Sequence, residues 1–544
     1  MTLERDMLDR LDRLTQIGIA LSSERDINRL IEMILIGAKE LTYADGGTFY
    51  TVDDEAREVR MEIVRTDSLN FAMGGTTGVA IPFAPISLYN EQGDPNHQMV
   101  VTHAVLADKM INIPDAYNAT GFDFSGTQKF DQKTGYRSRS FLTVPMKNHK
   151  NEIIGVLQLL NAIHPTTKEV IPFSDEAAQL TASLASQAAI ALTNRRLIAD
   201  LNTLLESLIQ LIATAIDEKS PYTGGHCERV PQITMMLAEA AHQQQSGPFA
   251  QFQMSEEDRY ELNVAAWLHD CGKLTTPEYV VDKRTKLETI YDRIETVTTR
   301  IELLKRDATL NALEQRLEAL KRGEPDPIAQ LESQLNQIQQ QLDAEASFLE
   351  RANTGGEFMD AADQQRVRDI GQQMITLRGE PRPLLNPEEI DNLTISRGTL
   401  TKEERDIINH HIVATIDMLN TLPFPKHLSR VPEYAGGHHE RIDGKGYPKG
   451  LTGEQMSLQA KMMAIADIFE ALTAPDRPYK EGKKLSEALK IMGFMAGEGH
   501  IDKQLFKLFI DEKIYAQYAE RFIAPHQVDE IVAERIPNYD KLID

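Results

Sequence analysis

His269 and Asp270 stand side by side in Ala265-Ala266-Trp267-Leu268-His269-Asp270-Cys271-Gly272-Lys273. Such a pair can offer an imidazole nitrogen and a bridging carboxylate to neighbouring metal ions. A lone His-Asp dipeptide carries little weight, but four further features add to this one. They are His226 in Tyr222-Thr223-Gly224-Gly225-His226, His411 in Asn409-His410-His411, the pair His438-His439, and Asp467 in Ala464-Ile465-Ala466-Asp467. Together these residues supply five imidazoles and two carboxylates, the donor types of a cluster of first-row transition metals.

The elements that position them belong to a chain of 544 residues, long enough for two to four domains. Its net charge of −24 argues against general partnership with nucleic acid or an anionic membrane surface. An anionic ligand would need cations concentrated locally, as metal ions or a few placed Lys and Arg. Cys227 and Cys271, the only cysteines, are too few for a disulfide framework and fit a reducing cytosol. The charged start, Met1-Thr2-Leu3-Glu4-Arg5-Asp6-Met7, lacks the apolar core of a signal peptide. No uninterrupted apolar run approaches the ~18 residues of a membrane span, so a soluble cytoplasmic protein is expected.

Along the chain, Leu8, Leu11, Leu14, Ile17 and Leu21, then Ile27, Leu30, Ile31, Ile34 and Leu35, predict helix over 4–42 with a break at Ser22-Ser23. The period changes between Gly46 and Val64, where two strands flank Asp53-Asp54-Glu55, and strands follow near 140–146 and 153–160. Residues 65–110 read as a long loop over a pocket. Helix, antiparallel strands, helix is an α+β arrangement suited to a small-molecule sensor.

Ile111-Asn112-Ile113-Pro114-Asp115-Ala116-Tyr117, Phe130 to Ser140, and Ile154-Gly155-Val156-Leu157-Gln158-Leu159-Leu160-Asn161 resemble a GAF domain, over about 25–195. The likeness is to the GAF domains of cyclic-nucleotide phosphodiesterases and adenylate cyclases. Those carry Asn-Lys, then Phe, three residues and Asp-Glu; this chain has Asn161-Ala162 and Phe173-Ser174-Asp175-Glu176. The resemblance implies either a small-molecule ligand such as a cyclic nucleotide or a dimerisation role without one. Residues 1–24 form a helix ahead of it. From 175 to 219 one long helix is predicted, with Leu180, Leu184, Ala188 and Ala191 on one stripe. A second stripe, Leu201, Leu204, Leu208, Leu211 and Ala215, follows Asn194-Arg195-Arg196. A parallel coiled coil linking two domains of a homodimer would use both stripes.

The segment 202–544 reads as mostly helical. Pro221 to His226, Leu268 to Lys273, His438-His439-Glu440-Arg441-Ile442-Asp443-Gly444-Lys445-Gly446-Tyr447-Pro448, Ala464 to Asp467 and Asp476-Arg477-Pro478-Tyr479 resemble the HD-GYP family of phosphohydrolases. That resemblance implies hydrolysis of cyclic di-GMP, to pGpG or GMP, at a metal centre of iron or manganese. It assigns His226, His269, Asp270 and Asp467 to one metal, and Asp270, His411, His438 and His439 to the next. Tyr222 replaces the Glu that holds a third metal in some members, so two metals are expected. Two such ions ~3.5–4 Å apart would acidify a water and bind phosphate oxygens. Lys273 would stabilise charge on the phosphoryl group. Asp443 is expected to orient a ligand or leaving group. Arg477 and Lys480 match substrate-holding positions, and Gly446, Tyr447 and Pro448 shape a loop facing substrate and partner proteins. The alternatives are a weakly catalytic cyclic di-GMP receptor or scaffold, and a hydrolase of another cyclic dinucleotide such as cyclic GMP-AMP.

Between 287 and 397 the family pattern is interrupted. Leu287, Ile290, Ile294, Val297, Ile301 and Leu304, and then Ile328, Leu331, Leu335, Ile338 and Leu342, predict an inserted antiparallel helical hairpin turning at Gly323-Glu324-Pro325-Asp326-Pro327. Such a hairpin could recruit a partner, pack across the dimer or fold over the substrate cleft. The fold expected is therefore multidomain, an α+β GAF domain joined by a long helix to an all-α HD-GYP domain.

Overall fold

The structure is a computed structural model that describes residues 2–53, 55–219, 225–355, 358–474 and 482–542, with side chains from residue 7 onward. The chain folds as two compact units, Met1–Leu205 and Glu206–Asp544.

In the first unit the strands are β1 (Ala44–Asp53), β2 (Glu58–Thr66), β3 (Phe71–Gly74), β4 (Ile86–Ser87), β5 (Ile111–Ile113), β6 (Phe141–Lys147), β7 (Ile153–Ile163) and β8 (Val170–Ile171). They form one antiparallel sheet in the order β3-β2-β1-β7-β6-β5, with β4 on β2 and β8 on β7. Side-chain alternation divides it into two faces. Phe49, Leu157 and Leu159 point to one face and are covered by Leu14, Leu21, Leu30, Ile34, Leu180, Leu184 and Ala188 from the helices Thr2–Ser23, Ile27–Thr42 and Asp175–Lys219. Tyr50, Val59 and Val156 point to the other, against Leu88 and Val101. The segment 65–110 is more structured than a loop, with β3, β4 and the helix Val100–Leu106.

The motif 130–140 is held by hydrogen bonds. Asn161, at φ +54°, accepts from the Arg139 and Ser140 amides at 2.7 and 3.2 Å and donates to Tyr136 Oη at 2.9 Å. Asp131 accepts from Tyr117 Oη, the Ser138 amide and Ser138 Oγ at 2.7–2.8 Å. These polar residues are therefore used to pin the sheet to its loops.

Helix Asp175–Lys219 treats its two stripes differently. Leu180, Leu184 and Ala188 are buried in the sheet's own core, each leucine contributing roughly 1.5–3 kcal/mol. Leu201, Leu204, Leu208 and Leu211 are 49–65% exposed. This helix is also long and apolar enough to cross a membrane by length and composition, with an 18-residue window at mean hydropathy 1.3.

The second unit is helical. Helix His226–His242 packs on Glu256–Leu268 and Leu458–Thr473, while His411–Thr421 packs on the short turn Cys271–Thr275 and on Val431–Gly436. Helices Ile294–Lys321 and Ile328–Asn353 lie antiparallel, paired by Lys305 with Asp343 and by Arg316 with Asp326 at 2.7 Å. The first helix starts at Ile294, not Leu287. Ahead of it, Glu288 and Asp292 tie residues 284–293 into a turn through the Arg284 amide and Thr285 Oγ1. Ile290 is consequently 98% exposed and leaves the expected stripe. A hairpin, Met374–Leu377 with Glu380–Pro383, also departs from the sequence reading. Lys283 donates to Asn392 Oδ1 and Glu404 at 2.7–2.8 Å, and buried Lys286 donates to the Leu393 and Ile395 carbonyls at 3.1 and 2.8 Å. Two lysines thus fasten the start of this segment to its end.

Candidate metal centre

Each of the seven donor residues sits where an element begins or ends, or on a single helix face. His226 opens helix His226–His242, His269 closes Glu256–Leu268, and His411 opens His411–Thr421. His438 and His439 follow Val431–Gly436, and Asp467 lies within Leu458–Thr473. The donor atoms of His226, His269 and Asp467 lie within 4.8 Å of one another, as do those of His411, His438 and His439. A third group, His269, Asp270 and His438, overlaps both.

Asp270 is 1% exposed and joins the two sets. Its Oδ2 lies 3.3 Å from His226 Nε2 and from His269 Nε2, and its Oδ1 lies 3.2 Å from His411 Nε2 and 3.9 Å from His438 Nε2. Asp467 Oδ1 is 3.4 Å from His226 Nε2.

The rings are oriented by what their other nitrogen meets. His269, His411 and His438 place Nδ1 at 2.7, 2.5 and 2.6 Å from the carbonyls of Ala266, Ile408 and Ala435, each three residues earlier. His226 places Nδ1 2.5 Å from Glu470 Oε2. A carbonyl or carboxylate there calls for an Nδ1–H donor, which leaves each Nε2 with a free lone pair directed inward. Asp270 Oδ1, His411 Nε2 and His438 Nε2 are buried with no hydrogen-bond partner among the described residues. Orphaned acceptors on mixed imidazole and carboxylate donors fit divalent cations.

The electrostatics divide the donors: burial opposes a charge on His226, but Glu470, Asp270 and Asp467 outweigh it and raise that imidazole well above its ordinary range. Burial pushes His438 well below the ordinary imidazole range and His439 down to about 4, so both are neutral ligands. Burial would raise Asp270 and Asp467, but neighbouring Lys273 and histidines outweigh it and hold both carboxyls ionised. Lys273 Nζ lies 2.5 Å from Asp270 Oδ2; burial opposes its charge, and Asp270 and Asp467 outweigh that.

Glu470 was not singled out from the sequence. It follows Asp467 by one helical turn, is 1% exposed, and accepts from Arg229 Nε at 2.8 Å as well as meeting His226. Burial would raise it, but His226 and Arg229 bring it down to about 2. Glu470→Gln should weaken metal binding about 10–100-fold with a well-folded protein, measured by chelator competition. Unchanged affinity would show that His226 needs no such support.

The loop after His439 is built around Glu440, which is 2% exposed and accepts from the Lys449 and Leu451 amides at 2.7 and 2.9 Å. A Cβ on Gly446 would stand 2.4 Å from the Arg441 nitrogen, which explains the glycine. Tyr447 stacks on His439 with ring centroids 4.9 Å apart. Pro448 follows within the same loop. Asp443 accepts from Arg441 Nη2 at 2.8 Å and from the Lys445 amide at 3.0 Å, and these bonds brace the loop. Arg477, Lys480 and Tyr222 lie outside the described residues.

Cys227 and Cys271 are free thiols directly following His226 and Asp270, 0% and 3% exposed. Burial pushes both thiols up, Cys271 to about 11.

Two family models match: the GAF domain over residues 26–192 and the HD domain over residues 384–505. The chain thus carries a stretch matching a GAF domain and, after it, a stretch matching an HD domain. His226, His269 and Asp270 precede the matched stretch, and the other four donors of the HD-type centre lie within it. Such a domain depends on divalent metal. The chain is 39% identical over 127 residues to a 3′3′-cGAMP-specific phosphodiesterase of Vibrio cholerae, covering 23% of this chain and 28% of that protein. It is 37% identical over 144 residues to a cyclic di-GMP phosphodiesterase of Pseudomonas aeruginosa, covering 26% and 30%. The chain thus spans less than a third of the length of these curated relatives. Among solved structures, the GAF domain of an Acinetobacter phosphoenolpyruvate-protein phosphotransferase covers 35% of this chain and 97% of its own, at 15% identity and a TM-score of 0.26.

Proposed function

We propose that the HD domain is a metal-dependent phosphodiesterase that hydrolyses cyclic di-GMP to pGpG, GMP or both. The observation that carries this reading is the buried Asp270 carboxylate, with one oxygen turned to His226 and His269 and the other to His411. The names of the relatives support the substrate class. In this reading His226, His269, Asp270 and Asp467 hold one ion, and Asp270, His411, His438 and His439 the second. The oxygen and nitrogen donors suit iron or manganese. Bound there, such ions acidify water and draw charge from phosphate oxygens.

The chain's own residues do the rest. Ala266, Ile408, Ala435 and Glu470 hold the imidazoles at fixed angles, so no reorganisation is needed when substrate arrives. Lys273, its side chain 23% exposed, offers a permanent cation to a phosphoryl oxygen at the rim. Tyr447 closes the side behind His439 and keeps bulk water from it. The test is incubation of manganese- or iron-loaded protein with cyclic di-GMP and with 3′3′-cGAMP, following pGpG and mononucleotides chromatographically. Turnover of cyclic di-GMP is expected. Absent turnover of both by protein holding its metals would sink the hydrolase reading and leave a receptor. Faster turnover of 3′3′-cGAMP would favour the second substrate, which the Vibrio relative supports.

The long helix supports a homodimer. Ile190, Asn194, Leu197, Leu201, Leu204, Leu208 and Leu211 alternate spacings of four and three and are all exposed. That is a heptad seam with one polar position, the pattern of a parallel coiled coil. Asp200, Asn202, Glu206 and Gln210 occupy its other faces, which suits a paired helix in the cytoplasm better than a bilayer span. Leu201→Glu with Leu208→Glu should convert dimer to monomer by light scattering. A dimer that survives both changes would place the interface elsewhere.

The GAF cavity, about 540 Å³, is lined by Tyr50, Met61, Phe71, Phe83, Phe130 and Phe141. Among the described residues lining it Asp123 is charged and none is Lys or Arg, so an uncharged ring-bearing ligand suits it better than a cyclic nucleotide. Exposed Leu310, Leu313, Leu317 and Leu320 on the inserted hairpin fit a protein partner.

A further inference from the structure

The last turn of helix Asp175–Lys219 touches two of the three segments that carry donors of the first set. Asp217 Oδ2 accepts from the Gly225 amide at 2.9 Å, and its Oδ1 accepts from the Cys227 amide at 3.5 Å. Those two amides flank His226. Two residues further on, Lys219 Nζ donates to the carbonyls of Lys273, Leu274 and Thr276 at 3.1, 2.5 and 2.6 Å. These carbonyls end the short turn that begins directly after Asp270, and the Lys273 amide returns to the Asp270 carbonyl at 2.9 Å. An ammonium has three protons, and Lys219 has three carbonyl acceptors to spend them on.

The geometry is unusual in its economy of residues. His226 and Asp270 are 44 positions apart, and their neighbours are gripped from one turn of one helix. A carboxylate holds the start of a helix, where free amides gather, and an ammonium holds the end of a helical turn, where free carbonyls gather. Each charge is on the correct end. We propose that Asp217 and Lys219 are positioning residues that set the spacing between His226 and Asp270, so that the last turn of the helix leaving the GAF domain sets the first metal site. This rests on the metal-centre reading above. A shift or rotation of that turn changes the His226-to-Asp270 spacing before anything else in the site.

The experiment uses the full chain with Asp217→Ala, Lys219→Met and Lys219→Arg. Manganese affinity is read by competition with a chromophoric chelator, bound metal by elemental analysis, and folding by melting temperature. Asp217→Ala, which acts beside His226 alone, should weaken the first ion about 10-fold and leave the second near its wild-type affinity, whereas Lys219→Met, which acts beside the shared Asp270, should weaken the first ion about 10-fold and the second by less. Lys219→Arg, which keeps a cation for the carbonyls, should recover most of the loss. Two ions held with wild-type affinity by folded Asp217→Ala and Lys219→Met would overturn the proposal. So would equal weakening of both ions, which points to general loosening. If Lys219→Met does not fold, the comparison of Lys219→Arg with Asp217→Ala decides in the same way. Wild-type protein that binds no manganese defeats the metal-centre reading itself, whereas wild type that binds two ions without hydrolysing substrate defeats only the proposed reaction.

Discussion

Asp270→Ala is expected to remove both ions and to lower the proposed turnover of cyclic di-GMP by about 10³-fold or more, equivalent to roughly 4 kcal/mol of barrier. Asp270 turns one carboxylate oxygen to each set. Oδ2 serves His226 and His269, Oδ1 serves His411, and the residue is sealed from solvent. Without the carboxylate, six donors remain, but the two halves lose their shared anion and the Lys273 ammonium loses the partner 2.5 Å away. A Lys273 ammonium without that partner repels a divalent ion, although Asp467 and partial exposure at the rim lessen the cost. His269→Ala should remove the first ion more than the second. Elemental analysis of the purified variants, alongside product formation, checks both statements. Full metal content in Asp270→Ala would mean that the two sets bind independently.

Gly272→Ala should be nearly as damaging, for a steric reason. The Gly272 amide donates to Thr415 Oγ1 at 2.9 Å, and a Cβ at residue 272 would stand 1.9 Å from the His411 carbonyl oxygen and 2.6 Å from the Thr415 nitrogen. Both obstacles are backbone of the helix His411–Thr421, so no rotamer change relieves them. The helix must back away by about an ångström, and it carries His411. Overpacking of this kind costs about 1–3 kcal/mol or more. The expected result is a melting temperature lower by several degrees together with lost metal at His411, His438 and His439. A variant that melts and binds metal like the wild type would show that the two segments never approach so closely.

The donor residues were legible because histidine is scarce and its neighbours follow a specific motif. What supports them was not. Glu470 meets His226 across 244 positions, and Asp217 and Lys219 reach the site only through the fold. Their local sequence is that of ordinary helix residues, and nothing in a window of ten or twenty residues separates them from solvated charges. The helical stripes show the same limit. Leu180 and Leu201 have the same spacing pattern, yet one is core and the other is exposed, because spacing reports a face and not what covers it. Residues 287–293 illustrate the converse, where turn-forming Glu288 and Asp292 override an apolar repeat. The 374–383 hairpin was hidden by Pro381 and Pro383, which a two-stranded ribbon with free edges tolerates.

The two thiols give the molecule an internal clock. Cys227 and Cys271 are chemically silent while the protein is closed, shielded from reagents and held as the unreactive protonated form. Alkylation at Cys227 therefore counts openings around His226, and alkylation at Cys271 counts openings around Asp270. Peptide mass spectrometry after timed exposure to iodoacetamide would report the two rates separately, on unaltered protein and with no engineered label. Chelating the metal should quicken both.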